Sequence, residues 1–198
     1  MALYYYLMAQ LPSLFYDQKP PMSSQAFREL AVSNLNKIDA DLMQYLSLEM
    51  PSDTGKKDSK KIKSCEFINS WRQWERTLRL NLARYRFLKL HSDETAETSS
   101  ELPVMPADAY ATAAIAFTQE GSPLDGEILL DKARWAAIDL MTGSEYFDRN
   151  NVFAYYLKLL LMERRQLFIL ENGFSEYKTL YAEIMESAQS YVHAGDDK

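Results

Sequence analysis

From Lys56 to Leu102 the chain contains neither glycine nor proline. Within that span Phe67, Trp71, Trp74, Leu78, Leu82, Tyr85 and Leu88 recur at steps of 4, 3, 4, 4, 3 and 3. That is the period of one helical face, and it predicts a single long helix over about residues 62–91. At about 1.5 Å per residue such a helix is roughly 45 Å long. A helix of that length needs several others packed along it, so the expected fold is an all-α compact multi-helix bundle. Punctuation elsewhere is sparse. Six glycines and seven prolines are roughly half the usual share, which argues against a sandwich, a barrel or a disordered chain. With 198 residues the chain makes one helical domain, or two lobes (1–105 and 106–198) sharing a core.

The remaining segments read as helices with local start and stop signals. Residues 2–11 read as extended or interfacial, closed by Leu11-Pro12. Lys19-Pro20-Pro21 is a rigid turn, and Ser23 or Ser24 supplies an N-cap for a helix carrying Phe27, Leu30 and Ala31. Leu35, Ile38, Leu42 and Leu46 predict a second helix, closed by Pro51, and residues 52–61 a polar loop. Residues 92–105 are acidic and rich in Ser and Thr, and Ala107 to Glu120 is an alanine-rich helix ended by Gly121. Ser122-Pro123-Leu124-Asp125 combines a capping serine, a first-turn proline and an acid three residues on. It opens a helix to about Thr142, stopped by Gly143. Residues 145–171 predict a central helix, apolar all round and therefore buried all round. Tyr177, Tyr181, Ile184, Ala188 and Tyr191 predict a packing seam on a last helix.

Charge is unevenly placed. The net charge is −6, which disfavours nucleic acid as a partner. Between Thr54 and His91 there are eleven Lys or Arg and three acids, and between Ser92 and Asp131 nine acids and no base. Solvated helix faces account for this, as does a dipolar molecule steered onto charged partners. Arg72, Arg76, Arg79 and Arg86 fall largely opposite the apolar stripe. No basic residue precedes the apolar N-terminal stretch, so a secretory signal is not expected. The most apolar run, Val152 to Met162, falls short of the roughly 18 residues that span a bilayer. These features predict a cytoplasmic protein with Cys65 a reduced core thiol.

Catalytic patterns are missing from the sequence. Gly55-Lys56-Lys57 lacks the upstream glycine of a phosphate loop, and there is no His-Glu-x-x-His and no Gly-x-Ser-x-Gly. His91 follows Leu88 and His193 follows Ser190 at three residues, so neither completes the Glu-x-x-His pair of a di-iron bundle. Glu127 and Asp131, one helical turn apart, are expected on a solvated face. Neither an enzyme nor a cofactor or metal site is expected. Tyr4-Tyr5-Tyr6 suits a binding surface and, about equally, alternating strand packing or core anchoring. Asp148 and Asn151 suit a functional role or a helix cap.

Two segments resemble a known family. The start, Tyr4-Tyr5-Tyr6-Leu7-Met8-Ala9-Gln10-Leu11, is similar to the opening of the C-type (in some systems d-type) subunit of V-type and archaeal-type rotary ATPases. Tyr146-Phe147-Asp148-Arg149-Asn150-Asn151-Val152, running on through Tyr156-Leu157-Lys158-Leu159, is similar to the Asp-x-x-Asn motif and apolar helix of that family. With Lys19-Pro20-Pro21, the N-terminal pattern more closely resembles a short bacterial family encoded beside V-type ATPase genes. Gln10 stands where the C-type family has Arg, and the chain is far shorter than that three-lobed protein, so at least one lobe should be reduced.

The resemblance implies a non-catalytic coupling subunit or assembly factor, linking central shaft to membrane rotor ring. Its partners would be other V-type ATPase subunits, and it would lie in the cytoplasm, peripheral to the inner membrane through them. Interface candidates are Tyr4, Tyr5, Tyr6, Arg72, Arg76, Arg79, Asp148 and Asn151. The rival expectation is a free-standing cytoplasmic helical adaptor unrelated to the ATPase.

Overall fold

The stripe from Phe67 onward becomes the longest described helix, and the two helices that follow it in the chain pack along it. The computed structural model describes residues 3–49, 61–90, 105–118, 122–168, 177–181 and 184–185. Within them lie α1 (Tyr5–Ala9), α2 (Ser24–Asn34), α3 (Lys37–Met43), α4 (Glu66–Leu90), α5 (Ala107–Thr118), α6 (Pro123–Thr142) and α7 (Arg149–Gln166). No strand occurs among the described residues; Leu3 and Asp148 form an isolated antiparallel bridge. The fold is all-α, as expected from the periodicity. Two units divide the chain, Met1–Glu163 and Arg164–Lys198. No helix of the described residues is long and apolar enough to cross a membrane.

Several helix ends follow local chemistry. Ser23 caps α2 by accepting the Ala26 N–H, and Asn36 caps α3 by accepting the Asp39 N–H at 2.8 Å. Ser122 and Asp125 close a reciprocal capping box on α6, with Pro123 in the first turn. Gly143, at φ 76°, stops that helix in a conformation costly for any residue with a Cβ.

Four expectations need correction. Residues 5–9 are helical rather than extended, because Tyr4, Leu7 and Met8 all turn into the core while Tyr5 and Tyr6 turn out. The predicted long helix starts at Glu66: residues 61–63 are helical, but the Ser64 hydroxyl takes the Lys61 carbonyl at 2.6 Å and breaks the run. The second helix is confined to Lys37–Met43, and Ile38 is 72% exposed, outside its buried face. The central helix starts at Arg149, not 145, because Asp148 caps it: its Oδ1 accepts the Asn151 N–H at 3.0 Å.

The first unit has one large apolar core. α7 buries every residue from Val152 to Leu157, then Leu159, Leu161 and Met162. Phe27 of α2 lies 4.8 Å from the Tyr155 ring, and Phe67 of α4 lies 6.2 Å from that of Phe153. The most extensive helix-to-helix contact among the described residues is that of α4 with α5, where the small side chains of Ala109 and Ala113 are fully buried. Trp71 and Trp74 stack at 6.0 Å within α4. Each indole N–H is satisfied: Trp71 donates to the Ser47 carbonyl at 3.2 Å and Trp74 to Asp108 Oδ2 at 2.6 Å. Cys65 is buried and free. At the far end of the unit, the Glu163 carboxylate accepts both the N–H and the hydroxyl of Ser24 at 2.6 Å, an anion on the positive end of α2.

In the second unit, Tyr177 and Tyr181 stack at 6.1 Å, and both they and Ile184 are exposed. The rest of the predicted seam, Ala188 and Tyr191, lies outside the described residues, as do the polar loop before Lys61 and the acidic run 92–104.

Trp74 is the sharpest test of this packing. Trp74→Ala should lower stability by about 3–5 kcal/mol in urea unfolding. Ile115→Ala, at an exposed position of α5, should stay within about 0.5 kcal/mol of the parent. Equal effects would mean that the α4–α5 interface is not part of the cooperative core.

Candidate functional site

Chain start and α7 start meet at one place. The Tyr4 N–H donates to the Phe147 carbonyl at 2.7 Å, beside the Leu3–Asp148 bridge. Beneath this lies Asp39 of α3, buried. Its Oδ2 accepts the Tyr4 hydroxyl and the Asn36 side-chain amide, the latter at 3.0 Å. Asn36 Nδ2 also donates to the Tyr4 oxygen at 2.8 Å. Arg149 Nη1 reaches Asp39 Oδ1 at 3.3 Å. Asp148 is buried beside Arg149 and accepts from Asn151, whose side-chain amide also donates to the Glu145 carbonyl at 2.7 Å. Burial, then the hydrogen bond to the Asp39 carboxylate, pushes the Tyr4 hydroxyl up to about 12.

Above this polar layer lies an aromatic surface. Tyr5 packs on Phe147 with ring centres 4.6 Å apart, and Tyr146 meets the same ring edge-on at 5.1 Å. Tyr5, Tyr146 and Tyr6 are exposed, Tyr6 by 76%. Exposed tyrosines over a pinned backbone have the character of a binding surface. Among the described residues, no group of three or more His, Cys, Asp or Glu side chains is placed to hold a metal ion.

Of the sequence candidates, Tyr4, Tyr5, Tyr6, Asp148 and Asn151 thus come together. Tyr4 is the anchor, Tyr5 and Tyr6 are the surface, and Asp148 and Asn151 build the start of α7. Arg72, Arg76 and Arg79 lie elsewhere, along α4. Arg72 donates to the Tyr45 carbonyl at 3.3 Å, and its guanidinium carbon lies 5.8 Å from the Tyr45 ring centre. Arg79 donates to the Leu48 carbonyl and pairs with Glu75 at 2.7 Å. Both therefore hold the segment after α3, and Arg76 is exposed.

Sequence reasoning missed Asn36, Asp39 and Arg149 as members of the site. Asn36 with an acid three residues on was a readable cap signal, but nothing local marked the hydroxyl and the guanidinium that meet Asp39. It also missed a second buried network. Arg134 of α6 grips Glu75 of α4 with two bonds of 3.0 Å and binds Asp131 at 2.8 Å. Asp131 is buried, not on the solvated face expected for it. Burial alone would lower the Arg134 guanidinium, but the hydrogen bonds and charges of Glu75 and Asp131 outweigh it and raise it.

No family model matches the chain, and no curated protein and no solved structure matches it either.

Two outcomes test these networks. Arg134→Met removes the buried cation that Glu75 and Asp131 share, leaving Glu75 only the half-exposed Arg79 among its ion pairs here, and should cost about 3–5 kcal/mol. Arg79→Ala, at a side chain 43% exposed, should cost far less, by urea unfolding. The second test is alkaline. Tyr4 and Tyr155 are both pushed up to about 12, Tyr155 by burial first and then by Tyr146. A raised value in the folded state means that their contribution is complete below pH 10 and is lost as pH rises from 10 to 12. The unfolding midpoint should fall across that window, and Tyr4→Phe with Tyr155→Phe should flatten the fall. Parallel profiles would remove the tyrosines from the linkage.

Proposed function

We propose that this chain is a non-catalytic structural subunit or assembly factor of a V-type rotary ATPase. In this reading it docks between shaft and rotor ring and carries force without chemistry of its own. One observation supports the reading most. The two segments that resemble the C-type family, separated by more than a hundred residues of sequence, form a single surface. Tyr4 and Phe147 are joined through their backbones, and Tyr4 and Arg149 share Asp39. A resemblance carried by unconnected surface loops would have no reason to converge. The long α4 with its buried ion network suits a body that transmits load. The exposed Tyr5, Tyr6 and Tyr146 suit an anchor for a protein partner. Localisation in the cytoplasm, against the inner membrane through partner proteins of the ATPase, belongs to the same proposal.

Affinity purification of the tagged chain from its native cell tests it. Shaft or rotor-ring proteins should be recovered, and a Tyr5→Ser/Tyr6→Ser variant should recover at least tenfold less while unfolding at the same urea midpoint. Recovery of unrelated proteins alone would replace the ATPase reading with that of a free-standing adaptor. The charge hypothesis is best tested with Arg76→Gln alone, because Arg72 and Arg79 also hold the fold.

A further inference from the structure

A second concavity lies away from the aromatic surface, where the C-terminal half of α4 meets the end of α5 and the start of α6. Its volume is about 300 Å³, at the lower end of the range of small-ligand sites. The floor is apolar: Leu82 and Leu130 are buried there, and Phe117 forms a side. That side is set in place. Tyr85 stacks on Phe117 at 5.2 Å and is itself hydrogen-bonded to Tyr110. The rim is cationic. Arg86 and Lys89 both line the opening, three residues apart on α4 and so on the same face. Both are exposed, and neither is held in an ion pair with another described residue. Lys89 Nζ lies 5.9 Å from the Phe117 ring centre, so the charge stands directly above the apolar wall. Among the described residues lining the cavity, Arg86 and Lys89 stand against a single acid, Glu127.

We propose that this cavity binds a small amphiphilic carboxylate, its hydrocarbon body on Leu82, Phe117 and Leu130 and its head on Arg86 and Lys89. An apolar floor with a cationic rim discriminates on two counts. A bare anion gains the rim but leaves the floor wet, and an amine of the same chain length meets like charge at the rim. Neither cation contributes to the core, so this binding is independent of the aromatic surface and of the function proposed for it.

The test is titration of the intact chain, followed by amide chemical shifts, with three probes: octanoate, octylamine and inorganic phosphate. Octanoate should saturate with a Kd on the order of 1 mM, as a ligand of this size allows. Its shifts should centre on residues 82–89, 116–117 and 122–130. Arg86→Ala/Lys89→Ala, at exposed positions, should weaken it at least tenfold without moving the unfolding midpoint. No saturation by octanoate, equal binding of octylamine, equal binding by the double variant or binding of phosphate alone would each overturn the proposal.

Discussion

A single buried carboxylate, that of Asp39, ties together the parts of the first unit that are furthest apart in sequence. It receives a hydroxyl from the chain start, an amide from its own helix cap and a guanidinium from the first residue of α7. Burying a charge this completely is costly unless it is hydrogen-bonded and paired, and here both conditions are met. The pairing also answers a problem in α7. Arg149 puts a cation at the positive end of a helix dipole, where it is disfavoured. Asp39 on one side and the capping Asp148 on the other offset it. The central helix therefore begins where it does because two acids meet there, and its apolar length is delivered to the core from a fixed start.

The second ion network does different work. Glu75 and Arg134 join α4 to α6 by two parallel bonds, a geometry that accepts only one register and one rotation of the two helices. Apolar packing alone is more permissive, since Leu82 or Ile138 would be buried in several neighbouring registers. A buried fork between otherwise apolar faces adds little net stability over a hydrophobic pair but penalises each slipped arrangement. Around it the tryptophan pair and the α5 alanines fill space in opposite ways. The indoles hold neighbours apart and bond to them at their edges, while the alanines let two backbones come together.

Helix identity was largely legible in the sequence, because it rests on periodicity and on caps that act within a few residues. Ser122, Pro123, Asp125 and Gly143 marked both ends of α6 without any tertiary information. What failed were signals overlaid by a louder one. Tyr4, Leu7, Met8 and Leu11 have the helical spacing i, i+3, i+4, i+7. The run of three tyrosines blurs it, because Tyr5 and Tyr6 score as apolar yet point to solvent. Asp131 was misplaced for the converse reason. It lies on the stripe of Leu130, Arg134 and Ile138, and only a carboxylate whose partner cations are known can be assigned to the inside. Glu75, between Trp71 and Leu78 on the α4 stripe, carried the matching clue. A charge at a core position of each of two helices suggests that they meet, but which acid meets which base depends on a packing that no local pattern encodes. The Asp39 site was hidden in the same way, its members lying on three segments with more than thirty residues between each pair.

The helical form of the chain start changes what its tyrosines can do. On a strand, Tyr4 and Tyr6 would share a face and Tyr5 would oppose them. On α1 the split is different: Tyr4 leads inward to Asp39 together with Leu7 and Met8, while Tyr5 and Tyr6 turn outward together. The inward set holds the outward set still. Tyr4 fixes the backbone through its hydroxyl and its N–H, and Phe147 supports the Tyr5 ring from below. A surface aromatic ordered before it meets a partner loses less freedom on binding than one on a loose terminus, so more of its buried area appears as affinity. The polar cluster and the aromatic surface are in this sense one device. In the binding role proposed for this surface, the charges beneath would make no contact with a partner, and their effect would run through the rigidity that they give to the residues above.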